Sequence, residues 1–364
     1  MDKKISCNTR QRNRSLGSNC EKKSRYEKDT RYVKLILIPI IAVVFALTLD
    51  LIFGDPKNRY HPTVWMGKLI GKSVPYAKST YLITEKINGT ILLVLAVSLV
   101  SFLILSFSSS LKYVESFDFN ELYKILFIGA SIILVGILLK TTIAIKGMEE
   151  HASKIMNSIA KNDLDGARAQ LSMIVKRDTK NLDKQHIISA TLESISENIV
   201  DGITGPLFYF SIFGLAGAFV YRTVNTADSM IGYKTEIFRN IGWFAANCDK
   251  VLNFIPSRLT SLVMVFSCII LREDWKNSIH IMKRDGPKTE SPNAGYPMAT
   301  LAGALGIKFE KMEHYVLGDG NSEITERHFQ SAISIMKMTT ILFVLFFTIP
   351  MILSLSYLGW WFNV

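Results

Sequence analysis

The sequence predicts an all-α, polytopic integral membrane protein with four to six membrane-embedded helices and helical polar loops. Two observations carry that expectation. Of 364 residues, 49% are hydrophobic, and they come in blocks. Residues 89–111, GTILLVLAVSLVSFLILSFSSSL, and 338–364, MTTILFVLFFTIPMILSLSYLGWWFNV, contain no charged side chain. At about 1.5 Å per residue, each is long enough for a hydrocarbon core of about 30 Å. Second, the chain lacks βαβ alternation, a dinucleotide-binding glycine fingerprint and any repeat of 20–50 residues, while 146–198 places apolar residues at helical spacing.

Residues 1–32 hold ten Lys/Arg against four Asp/Glu, six charges of the net +11. This basic extension is expected to be disordered and to anchor at lipid headgroups or in the cytoplasm, with no nucleic-acid partner. Residues 33–364 are expected to form a single helical membrane domain. Its first apolar block, Leu35 to Leu49, has no small-residue cleavage site and ends at Asp50. Blocks Ile125 to Leu139 and Gly202 to Tyr221 are weaker spans, and Leu259 to Leu271 is short enough to be a buried core helix. The basic segments leave the topology open: either the first block re-enters or lies at the surface, or the extension is outside. Cys7, Cys20, Cys248 and Cys268 have no metal-type spacing.

Three polar segments, 54–88, 140–201 and 222–337, are the expected active-site regions. In SATLESISENIVDGITGPLFYF, Glu193, Glu197 and Asp201 stand at four-residue steps, within about 80° of arc on one helix. Like charges so placed repel, so something positive should face them: a hard cation such as Mg²⁺, or Arg/Lys from elsewhere. The alternative is a solvated helix face. Asp163 or Asp165 is the expected N-cap of a helix within 146–198.

In YRTVNTADSMIGYKTEIFRNIGWFAANCDKVLNFIPSRLTSL, residues 221–262, Arg222, Asn225 and Asp228 share a helical face. Lys234, Glu236, Arg239, Asp249 and Arg258 follow among aromatics, a mixture that suits either a pocket wall or an interfacial aromatic belt. RDGPKTESPNAGYPMATLAGALGI is broken by three prolines; Ser291, Asn293, Ala294 and Gly295 could offer backbone N–H groups to an anion before a helix from about Met298. LDLIFGDPKNRYHPTVWMGKLIGKS misses the phosphate-loop spacing by one residue and has no preceding strand. Its Asp50, Asp55 and His61 suit polar groups held in a rigid turn near the membrane.

Four pieces together resemble the CobD/CbiB family, the adenosylcobinamide-phosphate synthases of cobalamin biosynthesis: LDLIFGDPKNRYHPTVWMGKLI, IVKRDTKNLDKQHIISATLESISENIVDGITGPLFY, the 221–262 stretch and SPNAGYPMATLAGALGI. The resemblance spans about residues 35–310. It departs from the family at Ser196, where AEN is usual, without changing a charge. The resemblance implies a multi-pass protein of the cell inner membrane and an ATP-dependent amide ligation. Adenosylcobyric acid is joined to aminopropanol O-phosphate, or a related aminoalcohol phosphate. It further implies Mg²⁺ and ATP held by Glu193, Glu197 and Asp201, with Asp228 as a further ligand or base for the amine. Phosphates and substrate would be bound by Arg222, Asn225, Lys234, Arg239, Arg258, Ser291, Asn293 and Gly295. Partner expectations are the corrinoid, the aminoalcohol phosphate, ATP, the lipid bilayer, and either a homo-oligomer or other membrane-bound cobalamin-assembly enzymes. Two other classes stand beside the ligase: an AmpE-like membrane sensor without ligase activity, and a transporter using Asp50 and Arg258. Transport is disfavoured by the absence of an inverted hydropathy repeat.

Overall fold

In a computed structural model of the chain, the described residues are 37–362, apart from 116, 118, 176, 234, 312, 313, 321 and 322. The basic extension and Lys234 therefore lie outside them. Among the described residues, five helical runs are long and apolar enough to cross a membrane: Leu82–Glu115, Glu121–Ala160, Lys184–Ile231, Trp243–Leu271 and Glu326–Tyr357. A shorter apolar helix, α1 (Leu37–Phe53), precedes them. The protein is an almost entirely helical, multi-pass membrane protein.

Helices α3 (Leu82–Glu115) and α4 (Glu121–Lys140) turn much of their apolar surface outward, with Leu95, Phe102 and Ile125 each more than half exposed. Exposed leucine and phenylalanine in such density suit hydrocarbon, not water. The short α2 (Pro62–Ala77) is too short to cross; it buries Met66, Ile70 and Ala77 against its neighbours. His61 caps it, its Nδ1 accepting from the Thr63 N–H at 3.3 Å. The near-miss phosphate loop is thus the middle of this helix.

At the end of α1 the chain meets α5 (Ile145–Ala160). Asp50, fully buried, accepts the first N–H groups of α5, from Ile145 at 2.9 Å and Lys146 at 3.0 Å. Lys140, also buried, lies 3.5 Å from Asp50 and 3.1 Å from Asp55. A carboxylate on a helix N-terminus beside a lysine is a junction that closes on itself. Asp163 caps α6 (Leu164–Leu171) through the Gly166 N–H, as the sequence suggests.

The centre of the molecule is the run from α7 (Lys184–Ile199) into α8 (Gly205–Ile231), most of whose apolar window is buried. It is not one straight crossing. A wide π turn occupies Val200–Thr204, and α8 doubles back at Phe213 (φ −122°, ψ 16°) and Gly214 (φ 61°, ψ −152°). The Gly214 angles fall in a region that side-chain-bearing residues avoid. In an unbroken helix Gly205 and Tyr221 would stand about 24 Å apart. Here a methyl on Gly205 would come 2.3 Å from the Tyr221 ring, so arms 205–212 and 215–231 form a helical hairpin. Tyr209 stacks on Tyr221 with centroids 5.2 Å apart and donates to the Leu252 carbonyl at 2.9 Å. Irregular backbone at such depth is tolerated when buried inside protein.

The expected short core helix at Leu259 to Leu271 is instead the end of α9 (Trp243–Leu271). The helix continues N-terminally through Asp249, Asn253 and Ser257, whose polarity hides its length from a hydropathy reading; Leu262, Phe266 and Ile270 face outward. Helices α10 (Trp275–Asp285) and α11 (Gly295–Leu305) pack closely, a Cβ on Gly303 standing only 2.7 Å from the Asn277 carbonyl. α11 begins three residues before the expected Met298, with Pro297 accommodated in its first turn. A two-stranded antiparallel hairpin follows, β1 (Phe309–Lys311) and β2 (Tyr315–Leu317), pairing Phe309 with Leu317 and Lys311 with Tyr315. Helices α12 (Glu326–Phe343) and α13 (Ile349–Tyr357) complete the last run. One large core joins α5, α7, α9, α11 and α12 around Ile155, Ile195, Met264, Leu301 and Met336; a smaller one lies under α2, α3 and α8 around Ile70, Leu93 and Ile231.

Candidate active site

The hairpin has a direct consequence for chemistry. Arg222, Asn225 and Asp228 on the second arm return to face Glu197 and Asp201 at the start of the first. These residues line a cavity of about 450 Å³ together with Asp249, Asn253 and Ser257 of α9. Ser291, Asn293 and Ala294 from the loop before α11, and Lys311 and Tyr315 from the β hairpin, close the opposite side. Among the described residues, five carboxylates and three cationic groups line it: Glu193, Glu197, Asp201, Asp228 and Asp249 against Arg177, Arg222 and Lys311.

At one end the charges are already matched. Glu193 accepts from Arg177 Nη2 at 3.2 Å, from Ser189 Oγ at 2.9 Å and from the Tyr315 hydroxyl at 2.8 Å. Asp183 starts α7 by accepting the His186 N–H at 2.9 Å, which sets the register that points Glu193 inward. Burial raises the Tyr315 phenol well above its ordinary range, and Glu193 and Glu197 push it further. Tyr315 therefore stays protonated and donates.

At the other end the acids are held by neutral amides. Asn253 Nδ2 donates to Asp201 Oδ1 at 3.2 Å and to Asp249 Oδ2 at 3.1 Å, and Asn225 Nδ2 reaches Asp249 Oδ1 at 3.4 Å. Arg222 donates to the Asp201 backbone carbonyl at 2.8 Å and to Asn225 Oδ1 at 3.2 Å, and its Nε has no partner. A surplus of carboxylates ordered by amides leaves hard oxygen lone pairs directed into a cavity. That is the donor chemistry of a divalent cation such as Mg²⁺, which uses one or two carboxylates and completes its shell with phosphate oxygen and water.

The expected trio of metal ligands does not gather. Glu193, Glu197 and Asp201 all reach the cavity, but Glu193 is occupied by Arg177, Ser189 and Tyr315. The π turn at Val200–Thr204 also breaks the four-residue register at Asp201. Among the described residues no group of three His, Cys, Asp or Glu side chains closes on one point. Asp228, Arg222, Asn225, Ser291 and Asn293 also line the cavity.

Arg258 stands behind it. Its guanidinium lies 3.7 Å from the Phe254 ring centroid and 4.5 Å from that of Tyr296, and donates to Asn293 Oδ1 at 3.1 Å. Asn293 Nδ2 in turn holds the Lys250 carbonyl at 2.8 Å, so Arg258 ties this loop to α9. Gly295 is not in the lining; a Cβ there would fall 2.2 Å from the Gly286 carbonyl, and the residue serves close packing. Arg239 is exposed in the turns between α8 and α9, away from the cavity, and Lys234 lies outside the described residues.

Sequence reasoning missed Arg177, Asn253, Lys311 and Tyr315, and gave Asp249 no role. A signal existed for some: Asp249, Asn253 and Ser257 stand at four-residue steps on α9. Nothing in the sequence pointed to Lys311 or Tyr315, which arrive on a three-residue strand pair.

Fold and site together define a multi-pass helical membrane protein with a buried, acidic, amide-rich cavity. The chain belongs to the CobD/CbiB family, whose model, described as CobD/Cbib protein, matches residues 43–342. It is 39% identical over 306 residues to the probable cobalamin biosynthesis protein CobD of Methanothermobacter thermautotrophicus, covering 84% of this chain and 96% of the relative. Its counterpart from Methanocaldococcus jannaschii is 38% identical, with 86% and 98% covered. The cobalamin biosynthesis protein CobD of Clostridium perfringens is 38% identical, with 76% and 84% covered. No solved structure matches the chain.

Proposed function

We propose that the protein catalyses ATP-dependent amide ligation between adenosylcobyric acid and aminopropanol O-phosphate, or a related aminoalcohol phosphate, giving adenosylcobinamide phosphate at the cell membrane. The observation that carries this reading is the convergence of the acidic, NTADSM and SPNAGYP stretches on one cavity. Relatives named as cobalamin biosynthesis proteins support the pathway.

A carboxylate is a poor electrophile, and its activation takes a phosphoryl or adenylyl group from ATP, which the amine then displaces. Asp201 and Asp249, with Glu197 and Asp228 beside them, would hold Mg²⁺; bound there, it would neutralise the ATP phosphates and stabilise charge in the transfer. Arg222 lies against these acids and supplies the cationic contact to a phosphate. Asp228 is placed to take the proton of the attacking amine. At the opposite end, Lys311 offers positive charge to the phosphate of the aminoalcohol. A cavity of about 450 Å³ accommodates reacting groups but not a whole corrin ring, so the macrocycle rests at the mouth and feeds in one propionate.

The test uses detergent-purified protein with adenosylcobyric acid, aminopropanol phosphate, ATP and Mg²⁺, following the corrinoid by mass. The expected result is a gain of one amide-linked aminoalcohol phosphate, lost when ATP or Mg²⁺ is omitted. A corrinoid that binds yet gains no mass with any aminoalcohol phosphate overturns the ligase and leaves a sensor.

A further inference from the structure

From the acid pair a hydrogen-bonded chain runs through Asn253, in the cavity wall, to Tyr221, which is not in the lining. Asn253 is 3% exposed and Tyr221 1% exposed, and the Tyr221 hydroxyl donates to Asn253 Oδ1 at 2.7 Å. On its other side the same amide presents Nδ2 to Asp201 and Asp249 at once. The amide turns its NH₂ toward both carboxylates; its oxygen then faces away and needs a donor. Tyr221 is that donor. The phenol is itself fixed, stacked on Tyr209 on one side and lying against Gly205, where a side chain would occupy the space of its ring.

We propose that Tyr221 and Asn253 are positioning residues that hold the Asp201 and Asp249 carboxylates as a preformed pair for a divalent cation; this rests on the cation reading of the cavity given above. The device works by orientation. A flipped amide would set its oxygen against two carboxylates, and the phenol's donation to Oδ1 reinforces the unflipped rotamer. Without the phenol, the amide oxygen is buried unpaired and the amide keeps only one of its two restraints. Asp201 comes from the π turn after α7, and Asp249 and Asn253 sit one turn apart on α9. One amide therefore ties two separate segments at the spacing the ion needs. Groups in this relation to metal ligands typically govern affinity by about 10–100-fold.

The experiment measures Mn²⁺ binding to the detergent-purified protein by electron paramagnetic resonance, without ATP or corrinoid, for wild type, Tyr221→Phe, Asn253→Leu and the double variant. The expected result is about a tenfold loss of affinity in Tyr221→Phe, with unfolding temperature close to wild type. Asn253→Leu should lose at least as much, and adding Tyr221→Phe to it should change nothing further, because the phenol acts only through the amide. In the ligase assay the Mg²⁺ requirement should rise while the corrinoid KM stays fixed. Wild-type Mn²⁺ affinity in Tyr221→Phe, or losses that add in the double variant, would overturn the positioning role. No Mn²⁺ binding by wild type would instead remove the cation reading on which it rests. Should Asn253→Leu fail to fold, Tyr221→Phe alone decides.

Discussion

Two regions bury carboxylates where helices break, and they solve the problem in opposite ways. At the α1–α5 junction, Asp50 meets two backbone N–H groups and a lysine that also serves Asp55. In the cavity, Asp201 and Asp249 meet the amides of Asn225 and Asn253, while the nearest arginine spends its contacts on a carbonyl and an amide. The first arrangement holds its acids with a buried lysine and a helix N-terminus, although Asp50 Oδ1 itself accepts no hydrogen bond. The second orders its oxygens and leaves their charge unmatched. A buried acid thus marks a site by the kind of partner it lacks, and Asp50, an intramembrane acid that invited a transport reading, is explained by construction.

The sharpest way to break the comparison is to remove the lysine. Lys140→Met leaves Asp50 and Asp55 without their cation, and the expected loss is about 3–5 kcal/mol, seen as a large fall in detergent unfolding temperature. A near-native unfolding temperature would mean the junction does not depend on internal neutralisation. The cavity should respond in reverse. Asp249→Asn should keep or raise the unfolding temperature, since it relieves acid surplus, yet lower amide formation by roughly a hundredfold. Destabilisation on the Lys140→Met scale would put Asp249 in the structural class.

The smallest effect concerns the residue that sets α7 in register. Asp183→Ala should cost about 1 kcal/mol at neutral pH, measured by unfolding. The His186 N–H first, against the opposing effect of burial, and then the His186 ring hold the Asp183 carboxyl below its ordinary value. A depressed folded value means the cap stabilises above the unfolded pKa of about 3.9 and fades as pH falls through the folded value. Wild type and Asp183→Ala should therefore converge in acid. A gap that persists there would assign the effect to something other than the cap's ionisation.

Much of this was legible in the sequence because it rests on local pattern. Charge-free blocks gave the membrane class, the Asp163 cap gave a helix start, and the clustered polar stretches gave most of the cavity wall. What escaped has long-range causes. The reversal at Phe213–Gly214 folds an apolar block on itself, and hydropathy does not register a turn made of apolar residues. The polar half of α9 broke an apolar run without breaking the helix. Glu193 looked equivalent to Glu197 and Asp201 on an ideal helix; Arg177 and Tyr315, from distant segments, and one wide turn made it different. Arg258 has the charge expected of a phosphate ligand, but two aromatic rings and Asn293 had already claimed it.

The doubled-back α8 also bears on the order of synthesis. Asp201, Tyr221, Arg222, Asn225, Asp228, Asp249 and Asn253 all lie within one short portion of the chain, whereas Ser291, Asn293, Lys311 and Tyr315 are made later. A chain emerging at about 5–20 residues per second completes the acid end of the cavity several seconds before its opposite wall exists. The acid-lined half is thus assembled as a local unit, and the later segments close a chamber whose floor is already laid.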